Sequence, residues 1–245
     1  PLPRWWLILF WLTIVFGVGY LVLYPGMGNY AGTLGWSSSG EHAADDRKFQ
    51  DQYGALYAGY ASTPVEVLAK DERAMQIGAR LFANNCAACH GTDAHGGRGF
   101  PNLTDKDWLW GGTPEAIHSS ILNGRNGVMP GWKDALGAQG VDEVVAYTLS
   151  LSGRSGLDAK QVAAGQGRFM MCAGCHGADG TGNPMLGAPN LTDNIWLHGG
   201  SVASLTKTVM EGRNNQMPAQ VDILGPERVH LLTAYVLSLS EKEKR

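Results

Sequence analysis

The chain has 245 residues, of which 44% are hydrophobic and only 17% are charged, and its formal net charge at pH 7 is −3. The low charged fraction argues against a disordered chain or a polyelectrolyte. The small net charge, with no run of Lys or Arg, excludes a nucleic-acid-binding protein. At about 150 residues per domain, the length allows one or two domains.

The first predicted element is a membrane-spanning helix within residues 1–26. The segment 5–24, WWLILFWLTIVFGVGYLVLY, has no charged residue and carries Trp or Tyr near both ends. About 20 helical residues rise about 30 Å, which is the thickness of the hydrocarbon core of a bilayer. A signal peptide or a buried core helix is the alternative, but a signal peptide has a shorter apolar region and a small-residue cleavage site.

The flanking charges predict the orientation of this span. Arg4 precedes it, and the next basic residue is Arg47, so the N-terminus is expected in the cytoplasm and the remainder outside. Because the sequence starts abruptly without Met, we also expect some N-terminal sequence, which could include another span, to be absent.

Residues 27–68 are predicted to be a connector, with a Gly/Ser-rich loop followed by an amphipathic helix. Large side chains recur there at helical spacing, at Phe49, Tyr53, Leu56, Tyr57 and Tyr60. This face could dock against a partner subunit or pack on the rest of this chain, and we favour docking.

All four cysteines lie in two copies of one motif. The copies are Cys86-Ala-Ala-Cys89-His90 and Cys172-Ala-Gly-Cys175-His176. C-x-x-C-H is typical of covalent haem c attachment, in which two thiols on one helical turn form thioethers and the adjacent His becomes the proximal iron ligand. A disulfide, a zinc site or a thioredoxin-like pair would not explain why His follows immediately both times. The sequence therefore predicts two covalently bound haem c groups.

The chain contains an internal repeat. Residues 101–152 align with residues 189–240 and share PNLTD, WL, GG, GRN, MP and AY followed by LSLS after one intervening position. Two tandem haem domains of about 85 residues are therefore predicted, at 69–153 and 154–245. Within them we expect helices at 70–83, 114–123, 141–151, 158–170, 202–211 and 226–239, separated by Gly- and Asn-rich loops. The predicted fold class is all-α.

The repeat also predicts the distal iron ligands. Met129 and Met217 each lie between Gly-Arg-Asn and Pro, about 40 residues after the motif histidine, and a thioether suits the iron of a c-type haem. Methionines more often fill cores, which is the expected role of Met75, Met170, Met171 and Met210; Met185 is a weak rival ligand. Pairing within each domain is the default, and an exchange between facing domains stays open.

The remaining site residues are predicted with less support. Arg125, Arg213, Trp108 and Trp196 flank the haem motifs and Met loops in both halves, and they could contact haem propionates or simply pack the loops. His42, His95, His118, His198 and His230 have no repeat partner and are expected at the surface.

The order of these motifs resembles a known family. PLPRWW leads into the span, GYLVLYPG leaves it, and CAACHG, PNLTD, WLWGG and MPGW are followed by CAGCHG, APNLTD, WLHGG and MP. The two halves resemble class I cytochrome c, and the whole chain resembles the dihaem subunit III of cbb3-type haem-copper cytochrome c oxidase. The resemblance implies a bacterial inner-membrane protein with periplasmic haem domains. It also implies electron flow from a donor c-type cytochrome to the monohaem subunit and on to the catalytic subunit.

Three classes of function are compatible with this sequence. The chain could be the electron-delivery subunit of an oxidase, a membrane-anchored dihaem carrier of another electron chain, or a haem enzyme such as a peroxidase. Two Met ligands would leave no open iron site, which argues against the haem enzyme and against O2 chemistry by this chain alone. Only the resemblance separates the first two classes.

Overall fold

Helices form most of the chain, and five of the six helices predicted for the two repeats begin within two residues of the predicted start, whereas the helix predicted from residue 141 begins at Lys133. The computed structural model describes residues 2–26 and 28–242. The helices are α1 (Arg4–Leu23), α2 (Ser38–Ala61), α3 (Val65–Leu68), α4 (Glu72–Asn85), α5 (Ala87–His90), α6 (Pro114–Asn123), α7 (Lys133–Leu151), α8 (Ala159–Arg168), α9 (Met170–His176), α10 (Val202–Glu211), α11 (Val221–Leu224) and α12 (Pro226–Lys242). Two short strands, β1 (Arg125–Met129) and β2 (Arg213–Met217), lie among them.

Side-chain caps fix several of the helix starts. Asp71 and Asp158 accept backbone N–H bonds at the starts of α4 and α8, and Thr113 and Ser201 do the same for α6 and α10. Each cap satisfies an N–H group that has no partner within the helix.

The chain divides into two units, and the boundary lies within α2 at residue 57. In the first unit, α1 is the one helix of residues 2–26 and 28–242 that is long and apolar enough to cross a membrane. After this helix the chain folds back, and Thr33 and Leu34 donate backbone hydrogen bonds to the carbonyl groups of Val22 and Leu23.

The aromatic face of the connector is shared between the two units. In the first unit the Phe49 ring lies 5.3 Å from that of Tyr53 and 5.7 Å from that of Tyr57. In the second unit Tyr60 is buried. Packing on this chain's own haem-bearing part therefore accounts for Tyr60, while docking of the remaining face on a partner stays a prediction.

The second unit contains two helix bundles, and each bundle combines elements from both repeats. One bundle contains α3 from the end of the connector and α4, α5 and α6 from the first repeat, and the second repeat completes it with α11 and α12. The other bundle is formed by α8, α9 and α10 of the second repeat with α7 of the first. Since only residues 152–158 separate α7 from α8, these consecutive helices pack against each other.

The first helix of each repeat packs against the last helix of the other repeat. A side chain at Gly78 would meet Tyr235, and one at Gly165 would meet Tyr147 and the Glu143 carbonyl group. Both glycine–tyrosine contacts therefore join one repeat to the other. The Tyr235 ring lies 5.6 Å from Phe82, and the Tyr147 ring lies 5.2 Å from Phe169.

We expect Gly165→Ala to destabilise the protein, because the new methyl group would overlap the Glu143 carbonyl oxygen. Overpacking of this kind costs about 1–3 kcal/mol of unfolding free energy. Gly167→Ala is the matched control, since the same helix leaves open space at that position, and it should stabilise by up to about 1 kcal/mol through helix propensity. Thermal unfolding followed by circular dichroism would compare them, and equal melting temperatures would contradict the close helix contact.

The two strands are the main departure from the predicted elements. Loops are expected at 125–129 and 213–217, whereas the structure pairs them antiparallel, with Arg125 opposite Met217 and Met129 opposite Arg213. Neither segment has high β-propensity. Each is a strand because the other lies beside it, and residues distant in sequence are needed to form the pair.

Candidate haem c sites

The two C-x-x-C-H motifs each fold into a single helical turn. Cys86 ends α4, and its carbonyl group accepts backbone hydrogen bonds from Cys89 at 3.1 Å and from His90 at 3.0 Å. In the second repeat α9 carries Cys172, Cys175 and His176 within about one turn. The local fold thus places two thiols and one imidazole together in both copies.

The two motif histidines have the same environment. Each is buried, with 9% of His90 and 7% of His176 exposed. The Nδ1 atom of His90 lies 3.1 Å from the Pro101 carbonyl oxygen, and that of His176 lies 3.1 Å from the Pro189 carbonyl oxygen. A carbonyl oxygen only accepts, so Nδ1 carries the proton and Nε2 keeps the lone pair that a metal ion needs.

Burial favours the neutral form of both imidazoles. It lowers the pKa of His90 and of His176 below the ordinary value, and the hydrogen bonds to the two carbonyl groups oppose this in part. A neutral ring with a free Nε2 is the form that binds iron.

The shared PNLTD segment positions those carbonyl groups. Asn102 Oδ1 accepts from the backbone N–H of Thr104 at 2.9 Å, and Asn190 Oδ1 accepts from that of Thr192 at 2.9 Å. These Asx turns hold the preceding prolines beside the histidines, which explains why the segment recurs in both repeats.

None of the four cysteines forms a disulfide, and Cys89 and Cys175 are exposed. Across residues 2–26 and 28–242, no group of three or more His, Cys, Asp or Glu side chains is arranged to hold a metal ion directly. Two thiols and an imidazole on one turn fit a covalently attached porphyrin, whose own nitrogens supply the other iron ligands.

Met129 and Met217 stand at the ends of β1 and β2. Met129 packs against the buried cluster that contains Cys172, Phe169 and Val209. Met185, the rival ligand, is 86% exposed. Met170 and Met171 are also exposed, so the prediction that they fill the core is wrong, whereas Met210 packs against the cluster.

The two strand arginines are supported by the middle helices. Arg125 Nε donates to Ser120 Oγ at 2.9 Å, and Arg213 Nε donates to Thr208 Oγ1 at 2.9 Å. Within the described part of the chain, neither guanidinium forms an ion pair with a carboxylate. Both therefore keep their charge available beside the Met strands.

Trp108 and Trp196 lie over the glycine pairs that follow them. A side chain at Gly112 would meet the Trp108 indole at 2.5 Å, and one at Gly200 would meet Trp196 at 2.5 Å. Trp196 also packs against the cluster that contains Cys172. In each copy of the W-L-x-G-G segment, the tryptophan ring therefore lies against the backbone of the second glycine.

The residues that join the two repeats could not be identified from the sequence. Trp110 lies against Gly187, and its counterpart His198 lies against Gly99, with Asn215 Nδ2 donating to His198 Nε2 at 3.1 Å. Burial and the Arg213 charge lower the pKa of His198. The expected surface position is wrong for three histidines, which are half-buried: His118, His198 and His230.

A further contact holds α7 against α8. Glu143 is buried, and its carboxylate accepts hydrogen bonds from Arg168 and from Gln139, which lower its pKa. The second repeat has Leu231 at the position of Glu143. Because the second repeat has no equivalent carboxylate there, comparing the repeats does not reveal this ion pair.

The fold and the two sites define a tandem c-type cytochrome with an N-terminal apolar helix. The family model described as cytochrome c oxidase, cbb3-type, subunit III matches residues 73–147 and 160–236. The model described as the N-terminal domain of cytochrome oxidase-cbb3, FixP, matches residues 1–31. The chain belongs to the subunit III family of cbb3-type cytochrome c oxidases.

Similar proteins agree with this assignment. The chain is 52% identical over 244 residues to the cbb3-type cytochrome c oxidase subunit CcoP of Rubrivivax gelatinosus, covering 98% of this chain and 79% of that protein. It is 40% identical over 261 residues to the subunit FixP of Bradyrhizobium sp. ORS 278, covering 98% and 89%. It is 38% identical over 263 residues to CcoP of Cereibacter sphaeroides, covering 99% and 90%.

Proposed function

We propose that this chain receives electrons from a donor c-type cytochrome and relays them through two haem c groups towards the catalytic core of a cbb3-type oxidase. The monohaem cytochrome subunit and the catalytic subunit are its partners. The observation that carries the proposal is the pair of buried imidazoles, His90 and His176, each held through Nδ1 with Nε2 left for iron. The relatives' names support the oxidase as the destination.

Each haem would be held by this chain's own side chains. Cys86 and Cys89 would form thioethers to one haem, and Cys172 and Cys175 to the other. His90 and His176 would be the proximal ligands, and Met129 and Met217 would be the distal ligands. The bound iron supplies one-electron chemistry, and a thioether ligand raises its potential.

Four further side chains are proposed to hold the haem propionates, two in each half: Arg125, Arg213, Trp108 and Trp196. The guanidinium groups are oriented by Ser120 and Thr208. A guanidinium offers paired donors that match a carboxylate.

The location follows from α1 and from the flanking charges. We place α1 in the bacterial inner membrane as an anchor, with the haem domains in the periplasm. Arg4 lies at the start of α1, and no basic residue follows until Arg47, so the positive-inside rule favours a cytoplasmic N-terminus.

The coordination of the isolated chain tests whether it is a carrier or a haem enzyme. With His and Met on both irons, neither ferrous haem has a position for an added ligand. We therefore expect no change in the visible spectrum of the reduced wild-type chain under carbon monoxide. Ready binding of carbon monoxide by both haems would contradict Met ligation and favour an open-site enzyme.

A further inference from the structure

We infer that residues 28–36, the return segment of the first unit, lie in the headgroup layer of the bilayer and fix the depth of the membrane anchor. The partner of this surface is phospholipid, and it is not another protein. The inference rests on the proposed function in one respect, since it takes α1 as the membrane span.

The return segment is hydrogen-bonded to the last turn of α1. The backbone N–H of Thr33 donates to the Val22 carbonyl group at 3.0 Å, and that of Leu34 donates to Leu23 at 3.1 Å. The Tyr30 hydroxyl group also donates to the Val22 carbonyl group, at 3.0 Å. Because one helical turn rises about 5.4 Å, these bonds hold the segment at the level of the helix end.

These bonds have a particular value at a membrane boundary. The last carbonyl groups of a helix have no partner within it, and an unsatisfied carbonyl group is strongly unfavourable where lipid excludes water. The 20 residues of α1 rise about 30 Å, which is the thickness of the hydrocarbon core. The last turn of α1 therefore ends where hydrocarbon gives way to headgroups, and the return segment covers its carbonyl groups there.

The composition of the return segment suits the headgroup layer. Residues 5–40 contain no Asp, Glu, Lys or Arg, so the uncharged stretch continues well beyond the end of α1. The large side chains of the segment are exposed, and they are Tyr30, Leu34 and Trp36. Tyr and Trp are enriched at the membrane interface, where a ring contacts lipid and its polar atom reaches water or headgroups.

Continuity with α1 identifies lipid as the partner. None of the α1 residues is buried by the chain. The Tyr20 ring of α1 stacks on that of Tyr24 at 4.8 Å, and the Trp36 ring lies edge-on to Tyr24 at 5.8 Å. One aromatic surface therefore runs from the lipid-facing helix onto the return segment, with no charged side chain to interrupt it.

The first turn of α2 marks the start of the aqueous phase. Trp36 Nε1 donates to Glu41 Oε2 at 3.1 Å, and Glu41 is the first charged residue after Arg4. A carboxylate stays in water, whereas an indole ring lies in the interface. The depth of the return segment thus sets the height at which the connector leaves the membrane.

Spin labels test this depth in the haem-loaded chain, whose four native cysteines are taken up by thioethers. Leu34→Cys then supplies a reactive thiol, with Val15→Cys as the reference within the span and Asp46→Cys as the reference in water. In nanodiscs of phosphatidylcholine and phosphatidylglycerol, we expect a nitroxide at position 34 to be several-fold less accessible to a water-soluble nickel chelate than one at position 46. It should be more accessible than one at position 15.

The reference positions separate this inference from the proposed function. Equal nickel-chelate accessibility at positions 34 and 46, with low accessibility at position 15, would overturn the inference and leave α1 as the span. High accessibility at both positions 15 and 34 would overturn the span as well.

Glycine variants test whether the contact with α1 holds the segment in place. Gly32 and Gly28 have φ of 74° and 61°, so alanine is strained at either position. A side chain at Gly32 would overlap the Leu23 carbonyl group, whereas Gly28 has open space around it. Gly32→Ala should therefore raise the nickel-chelate accessibility at position 34 several-fold, and Gly28→Ala should leave it unchanged. The same accessibility in both variants would overturn the fixed depth.

Photocrosslinking in the whole oxidase complex identifies the partner. With p-benzoylphenylalanine at position 34, irradiation of native membranes should attach phospholipid to this chain, which intact-mass spectrometry would detect as the added mass of one lipid molecule. Attachment to another protein subunit instead would overturn the lipid partner, even if α1 spans the membrane.

Discussion

Replacing both cysteines of one motif is expected to remove one covalently bound haem and leave the other. Cys86→Ser with Cys89→Ser should abolish attachment beside His90, and Cys172→Ser with Cys175→Ser should abolish it beside His176. Serine has nearly the shape of cysteine but cannot form a thioether, so the substitution removes the attachment to haem with little change in side-chain shape. Haem staining of the denatured chain would detect the loss, and the haem content per chain should fall to half.

Single substitutions are the control for this experiment. Cys89→Ser or Cys175→Ser alone leaves one thioether, so the stain should persist with a shifted α band. The exposed positions of Cys89 and Cys175 make these the mildest changes to the fold. Retention of both haems in either double variant would show that the C-x-x-C-H motifs do not attach them.

Local features of this protein could be predicted from its sequence, because they depend on neighbouring residues. The capped helix starts follow from single side chains such as Thr113 and Ser201. The placement of Cys86, Cys89 and His90 on one turn follows from their spacing. The apolar helix α1 follows from composition alone.

The exchange of elements between repeats could not be predicted in this way. Gly78 meets Tyr235 and Gly165 meets Tyr147, and each repeat offers the same glycine and the same tyrosine. Contacts within a repeat and between repeats therefore bury equivalent groups, and periodicity cannot distinguish them. The choice depends on the short 152–158 connection and on the strand pair, both of which are properties of the whole chain.

Some positions at which the two repeats differ in sequence lie at the junction between the repeats. Trp110 packs on Gly187, while its counterpart His198 packs near Gly99. Arg98 Nε also donates to the His198 carbonyl group at 3.2 Å. Where the two repeats differ, the sequence does not indicate which surface a side chain will contact. Such residues are therefore predicted to be ordinary surface residues.

The Glu143–Arg168 pair illustrates the same limit. Glutamate in a helix is ordinarily solvated, yet Glu143 is buried because α8 brings Arg168 to it from the next repeat. A buried carboxylate is tolerated when it is paired and hydrogen-bonded, as Arg168 and Gln139 ensure here. Its role is to fix α7 on α8, and α7 follows directly after the Met129 strand.

The largest functional effect is expected from removing the haem-bearing part of the chain. An oxidase complex whose subunit III chain lacks residues 69–245 should still reduce O2 when a small artificial reductant reaches the later haems. It should lose most of its turnover with the physiological cytochrome donor. Oxygen consumption with each reductant would measure this, and the artificial reductant serves as the internal control for an intact catalytic core.

The reason for this difference is distance. Electron tunnelling falls steeply as the gap widens, so a mobile donor outside the membrane needs intermediate haems to reach a buried acceptor, whereas a small reductant does not. A full-length chain with Cys172→Ser and Cys175→Ser keeps most of the protein while removing one haem, and donor-supported turnover should fall there too. Unchanged donor-supported turnover in the truncated complex would show that electrons enter elsewhere, and this chain would then have to serve a different electron chain.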